Sequence, residues 1–196
     1  MDAGKRDHDT QRCAVPGAAS QNRMGSRTPR RVGPVAIFDA MEKTKILFVC
    51  HGNICRSPMA EFVMKDKLAK AGLDNFEVAS AATSTEEIGN PVYPPARRML
   101  ASHGIDCSGK HARQMTERDY AYYDYIVLMD RNNLRNLRWI LGDGHDMSKV
   151  SLLMDWTGNP RDVADPWYTG NFQATWDDVN EGCDAIIAKL ANCLRQ

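Results

Sequence analysis

Apolar residues along the chain fall into short continuous runs that alternate with segments in which they recur every three or four residues. Continuous runs are typical of strands buried on both faces of a sheet, and the three-to-four spacing is typical of amphipathic helices. We predict four strands, at 44–50, 75–82, 124–130 and 149–155. Strands that alternate with helices predict parallel units with right-handed crossovers.

Helical spacing follows each predicted strand. Ser57 suits an N-cap, Pro58 suits the first helical position, and Gly72 is placed to end the first helix. Further helices are predicted to end at Gly104 and to run through 133–141. A long final helix carries apolar residues at Phe172, Trp176, Val179, Cys183, Ile186, Leu190 and Leu194. The expected fold is a single α/β domain with a central four-stranded parallel sheet and helices on both faces, Rossmann-like or flavodoxin-like.

The first 40 residues lack hydrophobic periodicity and carry scattered Pro, Gly, Ser and Arg. Such a segment buries too little apolar surface to offset the entropy lost on ordering. We therefore expect residues 1–40 to be a disordered N-terminal extension and residues 41–196 to form the domain. No signal peptide or membrane-spanning run is found in the sequence, so a cytoplasmic protein is expected.

Charge and cysteine usage narrow the functional classes. Lys and Arg total 25, as do Asp and Glu, so the formal net charge is zero and no overall basic field indicates a nucleic-acid partner. Six cysteines without a secretory signal indicate a reducing compartment. His103, Cys107 and His111 are spaced like metal ligands, but Gly104 and Gly109 interrupt any helix that would align them. No metal site is therefore expected.

The segment CHGNICR joins the first strand to the first helix. Ligands bind parallel sheets at the carboxyl ends of strands, beside helix N-termini. Gly52 and Asn53 tolerate strained backbone, so we expect the loop to curl and turn its N–H groups toward an anion. The guanidinium of Arg56 would complete the site, because it binds two phosphoryl oxygens as a fork. The expected phosphate-binding residues are His51, Gly52, Asn53, Ile54, Cys55 and Arg56.

Cys50 lies at the floor of this predicted anion site. Helix N-termini and cations favour the thiolate form of a cysteine. A thiolate in line with a bound phosphorus is a nucleophile, and its attack forms a phosphocysteine. We expect neither a metal nor another cofactor, because the loop and Arg56 would stabilise the equatorial charge.

Several stretches carry a family resemblance. They are VCHGNICRSPMAE (49–61), SAATSTEEIGNP (80–91), ARQ (112–114), MD (129–130), NLR (133–135) and DPWYTGN (165–171). Together they resemble the low-molecular-weight protein tyrosine phosphatases over all of 41–196. The C-x5-R pattern alone is shared by unrelated phosphatases, whereas its combination with the preceding strand, Ser57-Pro58 and the distant Asp-Pro is specific.

The resemblance implies further roles. Asp165 would be the general acid that protonates the leaving phenolate and later activates water. Asn53, bonded by Ser57 and Ser80, would support the strained loop. The entrance would be lined by Trp167 and Tyr168, whose flat rings suit a phenyl group.

Two positions depart from the family pattern. Glu86 stands where the family often has an aromatic residue, so one wall of the substrate cleft is expected to be polar. Lys110 and His111 straddle the position of a family histidine that supports the loop, so that support is left unassigned. Asp130 is expected either to support the site or to cap the helix that follows.

The expected function is hydrolysis of phosphotyrosine in proteins and of small aryl phosphates, with inorganic phosphate as a competitive ligand and no membrane partner. The alternatives are arsenate reductase, phosphoarginine phosphatase and a noncatalytic phosphate-binding module. Cys107 is isolated, which disfavours a thiol relay for arsenate, and the apolar Ile54 favours an aromatic substrate. Cys55 is expected to be the redox partner of Cys50, because a curled loop brings the two Cα atoms within the roughly 7 Å of a disulfide.

Overall fold

The structure is a computed structural model that describes residues 43–142 and 144–193. Its sheet contains β1 (Thr44–Cys50), β2 (Phe76–Ala82), β3 (Tyr125–Leu128) and β4 (Val150–Leu152), all parallel, in the order β2-β1-β3-β4. A flavodoxin-like sheet begins with the same order. The predicted α/β fold with a four-stranded parallel sheet is thus confirmed. The extension predicted at 1–40 lies outside the described residues, and the domain bounds 41–196 stay a prediction.

Six α-helices are present in the described part of the chain. They are α1 (Arg56–Lys70), α2 (Pro94–Ser102), α3 (Glu117–Tyr122), α4 (Arg131–Leu141), α5 (Pro166–Thr169) and α6 (Phe172–Cys193). Short 3₁₀ segments occupy Met147–Lys149 and Leu153–Trp156. Within 43–142 and 144–193, none of the helices combines the length and the apolar character needed to cross a membrane.

The apolar run of β1 is continuous because helices cover both faces of the sheet. Ile46 and Phe48 point into a core shared with α1, α2 and α6, whereas Leu47 and Val49 point into a second core built with β3, β4 and α4. All four side chains are fully buried. The strand is thereby fixed in the centre of the fold, and its carboxyl end is held in place.

The start of α1 differs from the prediction. The helix begins at Arg56, and its N-cap is Cys55, whose side chain makes no capping hydrogen bond. Ser57 is therefore inside the first turn, and the prediction that it is the N-cap is wrong. The hydroxyl of Ser57 contacts the cysteine at the end of β1 instead. The far end of α1 agrees with the prediction, since Gly72 follows the C-cap with a φ of 66°.

The topology brings three polar segments to one edge of the sheet. Cys50 ends β1, and Asp130 follows β3 after one residue. The backbone N–H of Val163 donates to the carbonyl of Met129 over 2.9 Å, which ties the loop before α5 to the same edge. Asp165, two residues further on, is thereby placed beside the loop that follows β1.

Candidate active site

The loop after β1 curls around the sulfur of Cys50. The backbone N–H of Asn53 donates to Sγ over 3.3 Å, and Asn53 has a φ of 57°. It is the one residue other than glycine, among those described, with a positive φ. The backbone N–H groups of Gly52, Ile54 and Cys55 have no acceptor within the described part of the chain. They remain available to an anion, and the predicted phosphate-binding role of the loop stays a prediction.

The side chain of Asn53 organises the loop from behind. Its amide nitrogen donates to the hydroxyl of Ser57 over 2.9 Å and to that of Ser80 over 2.8 Å. Its amide oxygen accepts from the backbone N–H of Arg113. Since both hydroxyls accept from Asn53, the proton of Ser57 is left to point at Cys50 Sγ, 3.1 Å away, or at the carbonyl of Ala81. In the former orientation the hydroxyl of Ser57 donates a hydrogen bond to the sulfur of Cys50.

A buried ion pair that the sequence analysis did not assign stands behind this network. Glu61 accepts from Ser80 over 2.6 Å, and its carboxylate lies 2.9 Å from Lys110 Nζ and 2.5 Å from Lys65 Nζ. Burial alone would raise the pKa of Glu61, but Lys110 and the hydrogen bonds to the carboxylate lower it below 4.5. One sequence feature could have indicated this pair, because Glu61 is a charged residue on the apolar face of α1. Lys110 donates to the carbonyl of Ser80, one of the predicted loop supports, whereas His111 is exposed.

Arg56 lies buried at the base of the site with its guanidinium held by two carboxylates. Nη1 is 2.5 Å from Asp130 and Nη2 is 2.5 Å from Asp165. Burial alone would lower the pKa of Arg56, but the neighbouring Cys50 and the two carboxylates raise it above its ordinary value. A phosphate that binds in the fork must therefore replace at least one carboxylate there.

Both acidic residues have a second contact. Asp130 caps α4 by accepting from the backbone N–H of Asn133 over 2.6 Å, so it has both of the roles considered from the sequence. Asp165 caps α5, since its Oδ1 accepts from the backbone N–H of Trp167 over 3.0 Å. The cap fixes one oxygen of Asp165 and leaves the other directed at Arg56.

A cleft of about 140 Å³ opens above the loop. Its lining is Cys50, His51, Gly52, Ile54, Cys55, Arg56, Glu86, Glu87, Asp165, Trp167 and Tyr168. Glu86 is part of this lining and pairs with His51 over 2.9 Å. Sequence reasoning missed Glu87 and also missed Tyr93, whose ring packs on Trp167 at 5.1 Å between centroids. The predicted supports Asn53, Ser57 and Ser80 lie behind the loop rather than in the cleft.

The other cysteines and histidines of interest are scattered. Burial, followed by the effect of Cys50, raises the pKa of the Cys55 thiol from 9.0 to about 12. His103 stacks on Trp176 at 3.8 Å, and Cys107 is buried in the core. Among residues 43–142 and 144–193, no three His, Cys, Asp or Glu side chains are arranged to hold a metal ion.

Comparison with known proteins identifies one family. Residues 45–195 match the family described as low molecular weight phosphotyrosine protein phosphatase. The chain is 39% identical over 148 residues to the low molecular weight protein-tyrosine-phosphatase YfkJ of Bacillus subtilis, covering 74% of this chain and 94% of that protein. It is 34% identical to PtpA of Staphylococcus aureus, over 72% of this chain and 90% of PtpA.

Solved structures agree with the sequence comparison. The crystal structure of Bacillus subtilis YfkJ superposes with a TM-score of 0.74 at 36% identity, over 78% of this chain and 98% of that one. A protein tyrosine phosphatase from Entamoeba histolytica, with Hepes in its active site, superposes with a TM-score of 0.70 at 30% identity, over 76% and 98%.

Proposed function

The chain belongs to the low molecular weight protein tyrosine phosphatase family and is a protein tyrosine phosphatase, and from this premise we propose which of its residues carry the reaction. Cys50 is the nucleophile, Arg56 binds the phosphoryl group, and Asp165 is the general acid and base. The observation that carries this proposal is the placement of all three side chains around one cleft at the carboxyl edge of the sheet.

The proposed reaction has two steps. The free N–H groups of the loop and the fork of Arg56 bind the phosphoryl oxygens, which displaces Asp165 from the guanidinium. Cys50 Sγ then attacks phosphorus, the P–O bond to tyrosine breaks, and Asp165 gives its proton to the departing phenolate oxygen. In the second step Asp165 takes a proton from water, the water oxygen attacks phosphorus, and the S–P bond breaks to release phosphate.

The walls of the cleft fit an aromatic phosphate. Ile54, Trp167 and Tyr168 offer apolar surface to a phenyl ring, and the two aromatic side chains are largely exposed at the rim. We infer that phosphotyrosine in proteins and small aryl phosphates are substrates. Inorganic phosphate, as the second product, is expected to compete for the same loop.

Loop support is assigned to Asn53, Ser57 and Ser80, because their mutual hydrogen bonds connect the positive-φ residue to the nucleophile. Cys55 is proposed as the thiol that rescues an oxidised Cys50. Both sulfurs belong to residues that line the cleft.

Turnover of p-nitrophenyl phosphate and of a phosphotyrosine peptide by Cys50→Ser tests the assignment. A serine hydroxyl stays protonated, so we expect turnover to be lost while phosphate or vanadate binding is kept by the backbone N–H groups. Cys107→Ser, which changes a buried thiol outside the cleft, is the matched control and should remain active. Substantial turnover by Cys50→Ser would show that the nucleophile is another residue.

A further inference from the structure

A second groove adjoins the catalytic cleft and shares part of its lining. It has a volume of about 320 Å³ and shares His51, Arg56, Asp165 and Tyr168 with the cleft. Its other polar lining comes from the start of α4 and the loop before α5, and consists of Asp130, Asn132, Asn133, Asn136 and Asp162. A residue that flanks a phosphotyrosine in the cleft can therefore reach this groove.

Negative charge outnumbers positive charge in the lining of the groove. Three carboxylates, of Asp130, Asp162 and Asp165, line it against one guanidinium, that of Arg56. Asp130 and Asp165 are both paired with Arg56, whereas Asp162 is exposed and has no hydrogen-bond or ion-pair partner among the described residues. Asp162 is thus the free negative charge of the groove.

Asn133 supplies a second, independent observation. Its side chain is 2% exposed and lines the groove, yet its Oδ1 accepts no hydrogen bond from any described residue. A buried amide oxygen without a donor is energetically costly. The excess of carboxylates over cations, with this unpartnered amide in the wall, favours a positively charged ligand that carries N–H donors. No three acidic, His or Cys side chains in the described ranges are arranged to hold a metal ion, so a metal is not the candidate.

We propose that the second groove binds the guanidinium of an arginine that flanks the phosphotyrosine in the substrate. Arginine carries five N–H donors in a planar fork, which suits acceptors that are spread over two segments of chain. The inference rests on the proposed function, because the groove meets the flank only if phosphotyrosine enters the cleft. Glu86 and Glu87 on the opposite wall add to the same preference, since they disfavour acidic flanks.

The test uses one phosphotyrosine peptide in which each position from −3 to +3 is in turn Arg, Gln or Glu. The ratio of kcat/KM for Arg over Gln is expected to reach roughly three- to tenfold at one or two positions, with Glu below Gln. The effect should be in KM rather than kcat, because the contact is the same in ground and transition states. It should weaken as ionic strength rises.

Two groove variants and one control variant test whether the groove causes the arginine preference. Asp162→Asn and Asn133→Ala should each lower the Arg-over-Gln ratio, and Asp162→Asn should leave turnover of p-nitrophenyl phosphate unchanged. Asp74→Asn removes the same charge just before β2, at the opposite edge of the sheet, and should leave the ratio unchanged.

Equal kcat/KM for Arg, Gln and Glu at every position would overturn the inference. So would an arginine preference that survives both groove variants, or one that Asp74→Asn lowers as much as Asp162→Asn does. If the wild type hydrolyses neither the peptides nor p-nitrophenyl phosphate, the proposed function itself is wrong. Failure of the proposed function can be told apart from failure of the arginine proposal alone, because in the latter case the enzyme still hydrolyses p-nitrophenyl phosphate.

Discussion

At the residue scale, Arg56 joins the two acidic residues of the site. Each nitrogen of its fork lies 2.5 Å from a different carboxylate, Asp130 or Asp165. We expect Arg56→Lys to lower kcat by roughly 10²–10³-fold, because an ammonium cannot replace two directed donors. Steady-state kinetics with p-nitrophenyl phosphate checks this. Near-normal kcat in Arg56→Lys would mean that a single positive charge suffices and that the fork is not used.

The effect of replacing Asp165 is expected to depend on the leaving group of the substrate. Loss of a general acid costs about 10²–10⁴-fold, and this cost should be largest for Asp165→Asn acting on phosphotyrosine or phenyl phosphate. Esters of acidic phenols depart without a proton and should lose less. Measuring kcat/KM across a series of aryl phosphates gives the comparison. A loss of the same size for every ester would remove Asp165 from the role of acid.

Cys55 gives a third residue-scale prediction. Burial, followed by the effect of Cys50, raises the pKa of Cys55 to about 12, so Cys55 stays a thiol at neutral pH, and we expect peroxide to oxidise the proposed nucleophile Cys50 first. The sulfenic acid of Cys50 would then condense with the thiol of Cys55, forming a disulfide and releasing water. Wild type treated with peroxide and then dithiothreitol should regain more activity than Cys55→Ser. Peptide mapping that finds no 50–55 link, with equal recovery in both proteins, would leave Cys55 as loop packing.

At the scale of secondary-structure elements, a buried ion pair joins α1, β2 and the segment before α3. Glu61 and Lys110 have side chains only 6% and 12% exposed. We expect Glu61→Gln to lower the free energy of unfolding at pH 7 by about 3 kcal/mol, since a buried charge loses its partner. Urea unfolding measures the change. The exposed Glu117→Gln is the control and should change stability by less than about 0.5 kcal/mol.

The same pair predicts a pH dependence with a definite sign. The folded-state pKa of Glu61 is below 4.5, so its stabilising contribution is complete above pH 4.5 and is lost as the pH falls through the folded value. The difference in stability between wild type and Glu61→Gln should therefore shrink in acid. A difference that stays constant from pH 7 to pH 3 would contradict the role of the charged carboxylate.

The elements also show how far the sequence could predict the fold. The apolar runs and their alternation with helical segments were sufficient to predict the four parallel strands, because both patterns depend on burial alone. The short helices α3 and α5 were missed, since six and four residues are too few to display a helical period. The N-cap was wrongly predicted at Ser57, because the hydroxyl of Ser57 contacts Cys50 instead of capping the helix. Local helix propensity gives no information about such a tertiary contact.

At the scale of the whole molecule, the site is assembled from three segments that are distant in sequence. Cys50 and Arg56 were identifiable from their loop, and Asp165 only through family resemblance, because an Asp-Pro pair by itself favours a surface turn. Glu61 and Lys110 could not be paired from the sequence, since nothing local relates two charges 49 positions apart. The contacts with Arg56 and Ser80 depend on how the sheet edge brings these segments together.

Trapping of the covalent intermediate tests the central claim most directly. Wild type and Asp165→Asn are mixed with p-nitrophenyl phosphate, quenched within milliseconds and mapped by mass spectrometry. We expect one phosphoryl group on the peptide that contains Cys50, and more of it in Asp165→Asn, because p-nitrophenolate leaves without an acid while water is no longer activated. Cys50→Ser should carry none. A phosphoryl group on any other residue, or a burst of nitrophenol without label on Cys50, would contradict the account.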